Sequence, residues 1–101
     1  MRRASSTDAN HTEIVRVLQG AHMSVFQAHG VGQGFPDLVV GGRMPCPCGS
    51  GKLLRQTKIV EVKTAKGILT PDQKEFHDTW RGQLDIARTT DEALRAVGVK
   101  Y

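Results

Sequence analysis

Three side chains, Asp37, Glu61 and Lys63, offer the clearest chemistry in the sequence. Glu61 and Lys63 fall two apart in the run Lys58-Ile59-Val60-Glu61-Val62-Lys63, whose β-branched residues suit a strand. Side chains alternate along a strand, so Ile59, Glu61 and Lys63 share one face and Val60 and Val62 the other. A carboxylate and an ammonium on a buried strand are unfavourable unless they are paired or bound to a metal. Asp37 follows Pro36 at the start of the preceding apolar run, and it lies near Glu61 if the two strands form a hairpin. Two carboxylates at close range repel, and a divalent cation relieves that repulsion while leaving positions open for water. Such a cation polarises a phosphate oxygen and activates water, with Lys63 placed to orient the water or to stabilise developing charge. Such a set suits phosphodiester hydrolysis. The competing reading is a Glu61–Lys63 pair on an exposed edge strand, worth roughly 0.2–1 kcal/mol.

The surrounding pattern supplies elements to hold these groups. Ile14, Val15, Val17 and Leu18 have helical spacing, which predicts a first helix over 10–19 with Asn10 as cap and Gly20 as terminator. Strands follow over 23–29 and, briefly, 38–40. Gly41-Gly42 then opens a polar stretch to Gln56, read as a hairpin with a long tip over 41–56, and the strand 58–63 returns from it. Thr70-Pro71-Asp72-Gln73 is a helix start, with a Thr cap, Pro at the first position and Gln placed for a capping box. That helix runs to Arg81 and stops at Gly82. A strand over 84–87 and a helix over 89–97, with Glu92 set for a second capping box, complete the chain. On the second helix Gln73, Phe76, His77 and Trp80 share one face, so the glutamine belongs to the side that meets the sheet; Trp80 is expected in the core rather than stacked on a base, and His77 is expected to be structural rather than catalytic.

Composition sets the bounds. The 101 residues make one domain, 1–101, of which 1–8 is expected to be a flexible end. Hydrophobic residues at 39% and charged residues at 24% are ordinary for a globular protein. No stretch approaches the length of a membrane span. Met1-Arg2-Arg3 lacks the apolar core of a signal peptide behind it, so a cytoplasmic protein with no membrane partner is expected. Fourteen Lys and Arg against ten Asp and Glu leave a net charge of +4, which favours polyanion partners without proving one.

The segments Gly34-Phe35-Pro36-Asp37-Leu38-Val39-Val40, Ile59-Val60-Glu61-Val62-Lys63-Thr64 and Lys66-Gly67-Ile68-Leu69-Thr70-Pro71-Asp72-Gln73, in this order and spacing, closely resemble the PD-(D/E)XK nuclease superfamily. Within it the chain looks like the virus-type replication-repair nuclease (VRR-Nuc) domain, and the resemblance runs from the first helix to Gly98. It implies an α/β, restriction-endonuclease-like fold of order αβββαβα, with a mixed central sheet flanked by helices. It also implies Asp37 and Glu61 as metal ligands, the backbone carbonyl of Val62 as a further ligand, Lys63 as the catalytic lysine and Gln73 as the glutamine that supports the site. Glu13 matches the first-helix acid that often completes the metal set, although Asn10 and Glu13 also have capping-box spacing. The expected cofactor is Mg²⁺ or Mn²⁺. The expected partners are branched DNA and a second copy of the chain, in the four-way (Holliday) junction resolution of phage or prophage recombination and repair. Cutting flaps, nicks or duplex by the same chemistry, or binding nucleic acid without catalysis as a module whose cysteine-bearing hairpin is stabilised by a metal, are the alternatives.

Cys46-Pro47-Cys48-Gly49-Ser50-Gly51-Lys52 departs from the family's simpler hairpin tip. It resembles the opening of a SEC-C type zinc motif, but four ligands would need His11, His22, His29 or His77, or a second subunit. A polar turn with free thiols is the favoured reading over a Zn²⁺ half-site at Cys46 and Cys48, since cysteines this close rarely form a comfortable disulfide. Gly49-Ser50-Gly51-Lys52 lacks Walker spacing and leads into no helix, so no nucleotide cofactor is expected. The glycines of 30–34 are read as allowing close approach of a DNA backbone. Lys52, Arg55, Lys58, Lys66 and Lys74 are the expected phosphate contacts.

Overall fold

In the computed structural model, which describes residues 6–28 and 30–99, the elements are α1 (Ser6–Gly20), β1 (Ser24–Gln27), β2 (Leu38–Pro45), β3 (Leu53–Val62), α2 (Pro71–Thr79), β4 (Leu84–Ala87) and α3 (Thr90–Ala96). The strands form one sheet in the order β1-β2-β3-β4. The first three are antiparallel neighbours, and β4 runs parallel to β3. A parallel neighbour requires a crossover, which α2 provides. The result is a mixed α/β domain whose four-stranded sheet is flanked by helices.

One sheet face carries the core. Alternation along the paired strands turns Leu38 and Val40, then Val60 and Val62, toward α1 and α3, where they meet Ile14, Leu18, Ala93 and Val97. Ile14 with Leu18 and Ala93 with Val97 are i, i+4 pairs, so each helix presents one apolar stripe. Fully burying a side chain of the larger kind contributes about 1.5–3 kcal/mol. On the opposite face α2 meets only the end of the sheet that carries Glu61 and Lys63, through Gln73 and His77, and α2 has no fully buried residue.

Several boundaries differ from the sequence reading. α1 begins at Ser6, so residues 6–8 are helical, while the rest of the expected flexible end lies outside the described residues. Asn10 is therefore inside the helix and is not its cap. Its side chain donates to Lys63 O at 2.9 Å and to Arg88 O at 3.3 Å. The helix also continues through Gly20. His22 N–H donates to Gln19 O and Met23 N–H to Leu18 O, both at 3.0 Å, while His22 takes φ 69°. This is a Schellman ending with His22 in the left-handed position that glycine usually holds, closed by the buried pair Leu18 and Met23.

The hairpin is longer and its tip shorter than expected. Gly41 and Gly42 pair with Thr57 and Gln56 within the ladder, which leaves 46–52 as the tip. A Cβ on Gly42 would stand 2.5 Å from Met23 Sδ; the glycine is required by packing, and no turn occurs there. Residues 89–97 behave much as predicted: Glu92 N–H donates to Thr89 Oγ1 at 3.1 Å. Glu92 Oε1, however, accepts from Arg88 N–H at 2.7 Å and so caps one residue earlier than a capping box would.

α2 ends at Thr79, two residues short of Arg81. Trp80, its C-cap, turns into extended backbone (φ −71°, ψ 130°) and leaves the helical face. It is 44% exposed and so does not join the core. It stacks on Phe76 with ring centroids 5.2 Å apart, and Phe76 meets Phe35 edge-on at 5.5 Å.

Candidate active site

The sheet delivers its acids and its lysine to one place. Antiparallel register sets Leu38 opposite Val60, so the residue before β2 and the last turn of the β3 ladder meet at the same end. There Asp37 Oδ2 accepts the Val62 N–H at 2.8 Å, filling the ladder position that β2 no longer reaches. Glu61 is 1% exposed and lies beside Asp37. Burial, then a hydrogen bond shared with Asp37, then the Asp37 charge push the Glu61 carboxyl from 4.5 up to about 8, with Lys63 opposing them.

Gln73 joins the acid to the base. Its Oε1 accepts from Lys63 Nζ at 2.7 Å, and its Nε2 donates to Glu61 Oε2 at 3.2 Å. The same Oε1 accepts the Thr70 N–H at 2.9 Å, and Gln73 N–H donates to Thr70 Oγ1 at 3.2 Å. The capping box and the site-supporting role are therefore both present, and the box fixes the rotamer that spans Glu61 and Lys63.

A second layer holds the backbone. Lys63 N–H donates to Ala87 O at 3.0 Å, and Lys63 O accepts from Asn10. Arg88 Nη1 donates to Thr64 O at 2.7 Å and Gly67 O at 2.6 Å, pinning the loop that leads into α2. Gly34, at φ 78°, abuts that helix so closely that a Cβ would stand 2.2 Å from Asp72 O. This glycine admits α2, whereas the sequence reading assigned its segment to DNA approach. Asn10 and Arg88 were missed as site residues because their partners lie 53 and 78, and 24 and 21, positions away. An asparagine within a helical run is the one local signal for Asn10.

His77 approaches the site from α2. Its Nε2 stands 4.0 Å from Glu61 Oε1, and neither buried atom has a hydrogen-bond partner. Burial lowers the His77 pKa, with Lys63 adding to the effect and Asp78 opposing it. The imidazole is therefore neutral at pH 7, and the contact is not an ion pair.

Other expected site residues lie elsewhere. Glu13 is exposed on α1, and among the described residues no three His, Cys, Asp or Glu side chains gather as a metal-binding group. Lys58 is engaged internally, with Asp85 Oδ2 at 3.0 Å and Ala96 O at 2.6 Å, because it shares the face of Val60 and meets α3. Lys74 pairs with Asp78 at 3.7 Å, one helical turn away. Lys66 is exposed in the loop before α2, while Lys52 and Arg55 are exposed toward the hairpin tip, at the far end of β3. Cys46 and Cys48 are joined as a disulfide and are not free thiols. In that state they offer no thiolates to zinc. Cys46 N–H donates to Lys52 O at 2.8 Å to close the tip. His29 lies outside the described residues.

The donor set tests the implied cation. Glu61 Oε1 is buried without a partner, Asp37 is adjacent, and the Val62 carbonyl belongs to the same strand end. These are hard oxygen donors, and Mg²⁺ commonly takes one or two carboxylates and completes its shell with water. The residues fit such an ion. No family model matches this chain, and no curated protein or solved structure matches it either. What the chain itself establishes is a small mixed α/β domain in which a buried glutamate, beside a half-buried aspartate, is linked through one glutamine to a lysine.

Proposed function

We propose that this protein is a divalent-cation-dependent DNA endonuclease of the PD-(D/E)XK kind, with a restriction-endonuclease-like fold and four-way junctions as its substrate. The observation that carries this reading is the convergence of Asp37, Glu61 and Lys63 at one end of β2 and β3, with Gln73 bonded to both Glu61 and Lys63. An edge-strand surface pair would leave Glu61 solvated, yet it is buried.

Asp37, Glu61 and the Val62 carbonyl would hold Mg²⁺ or Mn²⁺. When bound, that ion supplies polarisation of a non-bridging phosphate oxygen and a more acidic water. Lys63, held by Gln73, presents a fixed ammonium to the charge that develops on the phosphoryl oxygens as water adds and the P–O bond to the leaving strand breaks. Asn10 keeps the Lys63 carbonyl in place through these steps, and Arg88 holds the loop that follows it. Lys66, exposed in the loop that leads into α2, would dock a phosphate, as a contact that positions the duplex without reading its sequence, while Lys74 is shared with Asp78.

One site cuts one strand, so symmetric resolution of a junction calls for a homodimer with a two-fold axis. The test is cleavage of a synthetic immobile junction, a flap and a linear duplex, with and without Mg²⁺. Junction cleavage that needs Mg²⁺ and disappears in Asp37→Asn supports the reading, and preference for the flap or duplex reassigns the substrate. A protein that cleaves nothing, and whose DNA binding is the same in Asp37→Asn and Lys63→Ala, is a binding module and no enzyme.

A further inference from the structure

A second feature lies at the other end of the sheet. β1 pairs with β2 only from Leu38 to Gly41, so β2 continues toward Pro45 with a free edge, beside the turn that ends α1. The notch between them is a cavity of about 590 Å³ whose walls include His22, Ser24, Gly41, Arg43, Leu53 and Arg55. Arg43 and Arg55 are direct partners across the ladder, and both are exposed. Like charges directly opposite one another destabilise a strand pair. No acid lines the cavity, and among the described residues no ion pair with a carboxylate relieves either arginine. His22, at one wall, holds the left-handed backbone that residues other than glycine rarely adopt.

Arg55 and Glu61 are six residues apart on β3, as are Arg43 and Asp37 along β2. Even spacing puts the arginine pair on the same sheet face as Glu61, about 20 Å away at ~3.3 Å per residue. That span equals the axial rise of roughly six base pairs of duplex at ~3.4 Å per step.

We infer that the notch is a phosphate site, in which Arg43, Arg55 and His22 grip the substrate's backbone about 20 Å from the scissile bond. The identity of the anion rests on the nuclease reading; the pairing of two unrelieved arginines over a cavity does not. A guanidinium pair offers fork-shaped donors that match phosphate oxygens, and the bound anion removes the repulsion between them.

The experiment is fluorescence anisotropy of a labelled duplex and a junction in EDTA, over a salt series, for wild type, Arg43→Gln/Arg55→Gln and Arg43→Lys/Arg55→Lys. The glutamine pair is expected to weaken binding about 10-fold near 150 mM salt and to lower the slope of log K against log salt by about 0.9, the loss of one phosphate contact. The lysine pair should keep that slope, and the thermal midpoint of the glutamine pair should equal or exceed wild type. Binding and slope unchanged in the glutamine pair overturn the inference. So does calorimetry showing that inorganic phosphate binds the notch while the substitutions leave DNA affinity intact. Because EDTA removes cleavage from the measurement, loss of the nuclease reading would show only as Mg²⁺-dependent cleavage that persists in Asp37→Asn or never occurs.

Discussion

Gln73 does two jobs with one side chain, and they can be separated. Thr70→Ala removes the cap alone, and losing such a cap costs about 1 kcal/mol. It leaves Gln73 free to bridge Glu61 and Lys63, so cleavage should be nearly preserved. Gln73→Ala removes both jobs. It should lose a similar amount of stability but lower the cleavage rate about 10- to 100-fold, the usual effect of losing a group that orients metal ligands. Chemical denaturation and single-turnover cleavage of the two variants check this, and equal rate losses in both would assign Gln73 to helix capping only.

At the scale of elements, the site depends on how the 63–70 loop and α2 are held against the sheet. Arg88 supplies this from the end of β4, through charge-assisted bonds to Thr64 O and Gly67 O. Each such bond contributes about 1.5–3 kcal/mol. Arg88→Met should therefore destabilise the domain by roughly 3 kcal/mol, with faster hydrogen exchange in 63–70 than in β2 and β3. Gly34→Ala attacks the same joint from the other side, since its Cβ would strike the Asp72 carbonyl and its φ of 78° disfavours any side chain. It should displace α2 and depress cleavage more strongly than it lowers the thermal midpoint. Cleavage retained in this variant would show that α2 need not be so closely seated.

Across the whole molecule, the raised Glu61 pKa links stability to pH and to the cation. The unfolded carboxyl titrates near 4.5 and the folded one near 8, so between those values the folded state binds more protons. The stability that Glu61 contributes is complete below about pH 4.5 and is lost as the pH rises through 8. Without divalent ions the thermal midpoint should fall across that window, and Glu61→Gln, which mimics the neutral acid, should flatten the fall. Mg²⁺ should replace the proton, raising the midpoint more at pH 8 than at pH 5. A midpoint that responds equally to Mg²⁺ at both pH values would remove the carboxylate pair as its site.

Local rules were enough to place much of this fold. The capping box at Thr70, the strand over 84–87, the Thr89 cap and the alternation that puts Glu61 opposite the Val60 and Val62 face all follow from neighbours within a few residues. Glu61 and Lys63 were legible from strand alternation, and Asp37 from an assumed hairpin, whereas Gln73 was assigned to the site by the family resemblance, with its helical face in agreement. Tertiary structure decided the rest, where a residue's role depends on a distant partner. Pairing with Gln56 makes Gly42 a strand residue, Asp85 and the Ala96 carbonyl engage Lys58 internally, and the packing of Leu18 with Met23 moves the end of α1 past Gly20. Contacts between distant segments form only once the chain has folded, and no period of two or 3.6 residues encodes them.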